Sequence, residues 1–163
     1  MAALKFALSA IAMALAVSAC GSTSRSREDA VRPGIVDAGS MAFEALDPQP
    51  LTAGSCGMFL WARSGGEPVF VMAAFARPPE ARVKLRGRER QLTRSAAEGA
   101  AISGHFERQT YTDGRLTLTV DVTFDTARRI VDGAAIERGV IRVSDREGWE
   151  TIIPVGGLVA CKN

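Results

Sequence analysis

The sequence predicts an all-β fold, an antiparallel sandwich or small barrel of about seven to eight strands, preceded by a signal peptide and a flexible tether. Three observations predict it. Residues 115–125 alternate strictly: Leu116, Leu118, Val120, Val122 and Phe124 face one way, and Thr117, Thr119, Asp121 and Thr123 the other. Turn-forming clusters punctuate the chain from Gly54 onward at spacings of about ten residues. The apolar runs between those turns are short and leave little room for a helix.

In chain order, residues 1–19 are the first element. Lys5 supplies a positive n-region, an apolar run follows from Phe6 to Val17, and Ser18 and Ala19 lead to Cys20. The run is too short to cross a hydrocarbon core of roughly 30 Å as a helix, which favours an export signal over a membrane anchor. Val17-Ser18-Ala19-Cys20 resembles the lipobox of bacterial lipoproteins. That resemblance implies cleavage before Cys20 and acyl chains carried on it; two or more chains make a stable membrane anchor. The residue after Cys20 is Gly21 rather than Asp, so the expected address is the outer membrane, lipid-anchored and facing the periplasm.

Residues 20–40 are small, polar and charged and are expected to form the tether, with the folded domain spanning 41–163. Of the 20 Lys and Arg residues one, Lys5, leaves with the signal, so the remainder almost balances the 18 Asp and Glu. Near neutrality and export both argue against a nucleic-acid partner.

Three cysteines are present. With Cys20 lipidated, Cys56 and Cys161 form an even pair in an oxidising compartment and are expected to join as a disulfide. The alternatives are a reduced buried pair, or a reactive Cys56 in the Gly54-Ser55-Cys56-Gly57 turn.

Within the domain, residues 56–63 and 68–75 are apolar runs joined by Ser64-Gly65-Gly66-Glu67, a hairpin signal. Residues 81–86 alternate with one wet, basic face, and 90–95 return after Gly87. Residues 96–101 are weakly patterned, a loop or single helical turn. Residues 106–112 run into Asp113-Gly114, a type I′ turn signal, and then into 115–125. A turn or bulge is expected over 126–133. Residues 135–144 and 149–159 make the last hairpin, and Pro154, without an N–H, marks an edge or a bulge. Trp61 and Trp149 are expected to pack rather than form a recognition patch.

Catalytic and metal-binding patterns are sparse. His105 is the only histidine, no G-x-S-x-G elbow or phosphate loop accompanies it, and no cofactor or metal is expected. The domain is therefore expected to be non-enzymatic, with a small hydrolase using His105 as the enzyme alternative. The strongest surface feature is the basic segment from Arg77 to Arg94. Arg82, Lys84, Arg86, Arg88 and Arg90 are its candidate anionic-partner surface, suited to an anionic envelope component or an acidic protein. The opposing view is a solvated sheet face whose charges prevent edge pairing.

Ser103-Gly104-His105-Phe106 resembles the Ser-Gly-aromatic recognition element of periplasmic lipoprotein inhibitors of c-type lysozyme. Those proteins share the expected size, anchor, small barrel and terminal disulfide, but their tryptophan- and lysine-containing element has no counterpart downstream here. The resemblance implies a protein-binding role. A small-ligand or lipid-binding barrel is a further alternative. The expected role is binding or structural support in the envelope.

Overall fold

β3 (Ser55–Ala62), β4 (Val69–Ala76), β5 (Pro79–Leu85), β6 (Arg88–Ile102), β7 (His105–Thr112), β8 (Leu116–Ile130), β9 (Gly133–Asp145) and β10 (Glu150–Lys162) pair in sequence order. β10 returns to β3 to close the ring. Every pairing is antiparallel. The fold is thus an eight-stranded up-and-down barrel, one of the two architectures the alternation allowed. Closure removes the edges that an open sheet of this length would expose. In this computed structural model the described residues are 35–38, 41–63, 68–131 and 133–163. The expectations for the signal, for Cys20 and for residues 21–34 lie outside them.

Two short strands precede the ring. β1 (Ile35–Ala38) pairs with β2 (Met41–Glu44), and β2 adds to β5 through Phe43↔Leu85 and Glu44↔Lys84. Strand structure therefore begins inside the stretch assigned to the tether. Two β-branched residues among polar neighbours are too short a periodic signal, and the pairing partner supplies what the pattern lacks.

The alternation in β8 works as expected. Leu116, Leu118, Val120 and Val122 join Met58, Leu60, Met72, Val83, Leu92, Ile136, Ile141, Val143, Ile153 and Val159 inside the ring. Thr117, Thr119, Asp121 and Arg142 stand outside, the reverse of a membrane barrel, whose apolar side chains face lipid. Side chains fill the interior, so the described barrel is packed rather than hollow.

Cys56 and Cys161 are opposite each other in the β3–β10 ladder, with Cα atoms 4.0 Å apart, and are joined by a disulfide. The bond ties the first barrel strand to the last.

Two local expectations change. Residues 96–101 continue β6, because β7 provides a ladder partner through Ala96↔Thr110, Ala97↔Gln109 and Glu98↔Arg108. Both faces of that stretch are exposed, which is why it carries no apolar period. The bulge expected over 126–133 is present as a register shift between Asp125 and Arg129, and β8 continues through it to Ile130. Asp113-Gly114 is not a type I′ turn: only Gly114 has a positive φ, and Asp113 Oδ1 accepts the N–H groups of Arg115 (2.9 Å) and Leu116 (2.8 Å). Pro154 behaves as expected, beside a register shift between Val155 and Gly157.

Candidate functional site

An up-and-down barrel has two ends, and each gathers a different chemistry. At one end lie the β5–β6, β7–β8 and β9–β10 turns; at the other lie the start of β3 and the β4–β5 and β6–β7 turns.

The first end collects arginines. Arg86, Arg88, Arg90, Arg115 and Arg146 line a depression of about 930 Å³ together with Glu89, Asp145 and Glu147. Arg86 occupies a left-handed conformation (φ 51°) followed by Gly87 (φ 74°), so the β5–β6 connection is a two-residue type I′ turn. Glu44 holds that turn by accepting the Gly87 N–H at 2.6 Å. Asn or Gly would fit position 86 with less strain than Arg.

The predicted basic stripe divides into two groups here. Arg82 is ion-paired with Glu80 (3.1 Å) and Glu89 (3.8 Å), donates to Gln49 (3.1 Å), and lies 5.3 Å from the centre of the Phe75 ring. Lys84 is paired with Asp47 at 3.5 Å, and Arg90 with Asp113. These three cations are neutralised by the barrel wall and by the segment 45–54 that passes over it. Exposed pairs of this kind contribute about 0–1 kcal/mol each, so their main effect is to cancel charge. Among the described residues, Arg86 and Arg88 have no such partner and remain exposed.

Arg115 and Arg146 were missed by sequence reading. Arg146 donates through Nε to the Gly114 carbonyl, fixing the β9–β10 turn against the β7–β8 turn, while Arg115 is exposed. The available signal was an arginine in each of three successive turns on one end of a meander, which only becomes a cluster once the strand order is known. Asp113 is held below its ordinary range. Burial works against this, but the Leu116 and Arg115 N–H groups and the Arg90 guanidinium outweigh it.

The second end holds the disulfide and His105. His105 is fully buried. Its Nε2 lies 3.4 Å from the Cys56 carbonyl oxygen. A carbonyl only accepts, so Nε2 carries the proton and Nδ1 is bare; Nδ1 has no partner. Burial lowers the imidazole pKa to about 4; the Cys56 bond works against that and the Arg94 charge adds to it.

Arg94 Nη1 donates to Gly104 O (2.9 Å) and to Gln109 Oε1 (3.0 Å), and its guanidinium lies 5.4 Å from the Phe106 ring centre. Tyr111 donates to the same Gln109 oxygen at 2.9 Å, and burial pushes the Tyr111 phenol upward. The Ser103-Gly104 pair is an exposed turn tip, but His105 points inward and Phe106 lies against Arg94. Phe106 is half-buried there and borders a depression beside the turn. Trp61 stacks on Phe70 at 5.2 Å and Trp149 packs against the core, as expected.

Among the described residues no group of His, Cys, Asp and Glu is arranged to hold a metal ion. No family model, curated protein or solved structure matches the chain.

Proposed function

We propose that this chain is a non-catalytic lipoprotein, anchored through Cys20 at the periplasmic face of the outer membrane, whose disulfide-closed barrel binds an anionic envelope partner. The supporting observation is the separation of charge on the basic segment. Arg82, Lys84 and Arg90 are consumed by ion pairs, whereas Arg86 and Arg88 project from one end beside Arg115. The Cys56–Cys161 bond fits an oxidising compartment, in agreement with an export signal. A rigid barrel with exposed arginines gathered at one rim suits recognition of phosphate or carboxylate groups, which arginine forks bind well.

Two experiments test the two halves of this reading. Membrane fractionation of the native protein and of Cys20→Ala is expected to move the protein from the membrane pellet to the soluble periplasm. Retention of Cys20→Ala in the pellet would remove the anchor. Crosslinking in intact cells, followed by capture, compares the native chain with Arg86→Ser/Arg88→Ser/Arg115→Ser and with Lys84→Ser. A partner lost only in the triple variant supports the rim; identical captured sets from all three reject it.

A further inference from the structure

The β6–β7 hairpin leaves the barrel wall and crosses its mouth. β6 separates from β5 after the Glu80↔Thr93 rung, and β7 meets β8 only from Arg108↔Asp121 onward. On β6, residues 94–98 are therefore laddered only to 108–111 of β7, and the tip from 99 to 107 only to itself, with register shifts between Arg94 and Ala96 and between Glu98 and Ala101. Such bulges bend a two-stranded ribbon.

The bent tip lands on the far wall. In a ring of eight, β7 and β3 are four strands apart and so diametrically opposed, yet His105 on β7 bonds the carbonyl of Cys56 on β3. Gly104 rests against β4 so closely that a Cβ there would stand 2.8 Å from that of Ala76. Arg94 braces the tip from below through the Gly104 carbonyl. Ile102 packs against the core beside these contacts, and the contact to β3 ends in an imidazole with a buried, unpartnered nitrogen.

We infer that the β6–β7 hairpin, residues 94–107, is a lid over the disulfide end of the barrel, latched by neutral His105 and released when that imidazole takes up a proton.

The physical basis is the second nitrogen. Protonation puts an N–H on Nδ1, where no acceptor faces it. The charged group that faces the ring is Arg94 on β6, which repels an imidazolium. From β3 it meets Cys56, which is disulfide-bonded and does not titrate; from β4 the tip meets Ala76. On β7 itself, Glu107 turns back to the Ala100 N–H at 3.3 Å, so no carboxylate from its own strand compensates. Lifting the hairpin hydrates the charged ring and relieves both penalties.

The direction follows by linkage. The closed lid takes a proton only near pH 4, whereas a hydrated imidazole takes one near its ordinary value of 6.5. Acid therefore favours the open form, by about 30-fold at pH 5 relative to pH 8. Release would widen the depression of about 810 Å³ that Thr52, Ser55, Cys56 and Arg77 border together with Arg94 and Phe106 of the hairpin. This inference does not depend on the arginine rim or on the lipid anchor.

The test is amide hydrogen exchange of the disulfide-intact domain at pH 7 and pH 5, corrected for intrinsic rates, with His105→Gln alongside. Gln keeps a donor for the Cys56 carbonyl and cannot charge. The native hairpin is expected to lose about 20-fold in protection between these conditions while β9 and β10 keep theirs, and His105→Gln is expected to lose none. Equal loss in the variant, no loss in the native protein, or simultaneous loss across all strands overturns the lid. NMR titration of the native protein guards against a variant that fails to fold. His105 is the only histidine, so its ring protons report it alone. An imidazole titrating at its ordinary value with the hairpin still protected also overturns the latch.

Discussion

Gly157 lies where β10 crosses β3, and an added Cβ would stand 2.0 Å from the Phe59 carbonyl oxygen. Backbone cannot yield as a flexible side chain can. Gly157→Ala is expected to cost about 3 kcal/mol in urea denaturation. Gly148 is an exposed turn glycine with φ 85° and nothing within 4 Å of a Cβ, so Gly148→Ala should cost only about 1 kcal/mol of backbone strain. Equal losses would show that the approach to Phe59 is not the constraint. Inside the ring, Gln109 Oε1 receives both Arg94 and Tyr111. Gln109→Leu strands a buried hydroxyl and removes an acceptor from Arg94, an expected loss of about 2–3 kcal/mol, against about 1 kcal/mol for Tyr111→Phe. Neither residue was singled out in the sequence. The inward positions His105, Gln109 and Tyr111 interrupt the apolar alternation that marks β8, and a polar residue facing inward looks like one facing water until its partners are known.

Strands were legible where one face is apolar and the other wet. β8 up to Phe124, β5 and the β9–β10 hairpin met that condition, and the paired cysteines gave their closure. The second half of β6 was hidden for the opposite reason: Ser95 to Ala101 are exposed on both faces, so nothing alternates. That stretch forms a strand because β7 lies beside it, which is a tertiary cause. The disulfide is the element-scale feature with the largest expected effect. It closes a loop with a sequence separation of 105 residues. In the chain-entropy view such a bond removes up to about 4.7 kcal/mol of denatured-state freedom. Denaturation of the oxidised protein against Cys56→Ser/Cys161→Ser should show a loss of that order, with β3 and β10 exchanging amide protons faster. An unchanged midpoint would mean that the other ladders alone hold the ring shut.

At the scale of the whole molecule, two buried or bonded groups set an acid limb with two stages. The His105 pKa of about 4 lies below its ordinary value. Unfolded chains bind a proton there below pH 6.5 while the folded chain does not, so this contribution is complete above pH 6.5 and is lost as pH falls toward 4. The loss amounts to about 3 kcal/mol. Asp113, held below its ordinary 3.8, acts in the same direction but later, losing its stabilisation as acid protonates it beneath that value. Urea midpoints between pH 8 and pH 3 should therefore fall in two steps, and His105→Gln should flatten the first while leaving the second. A variant that follows the native curve throughout would place the first step elsewhere. The lid adds a constraint of its own. Once the hairpin opens, the imidazole is hydrated in the folded chain too, and further acid no longer distinguishes folded from unfolded through His105. The first step must then level off early, at a depth equal to the free energy that holds the hairpin closed. The depth of that step and the exchange protection of residues 94–107 at neutral pH measure the same quantity, and they should agree.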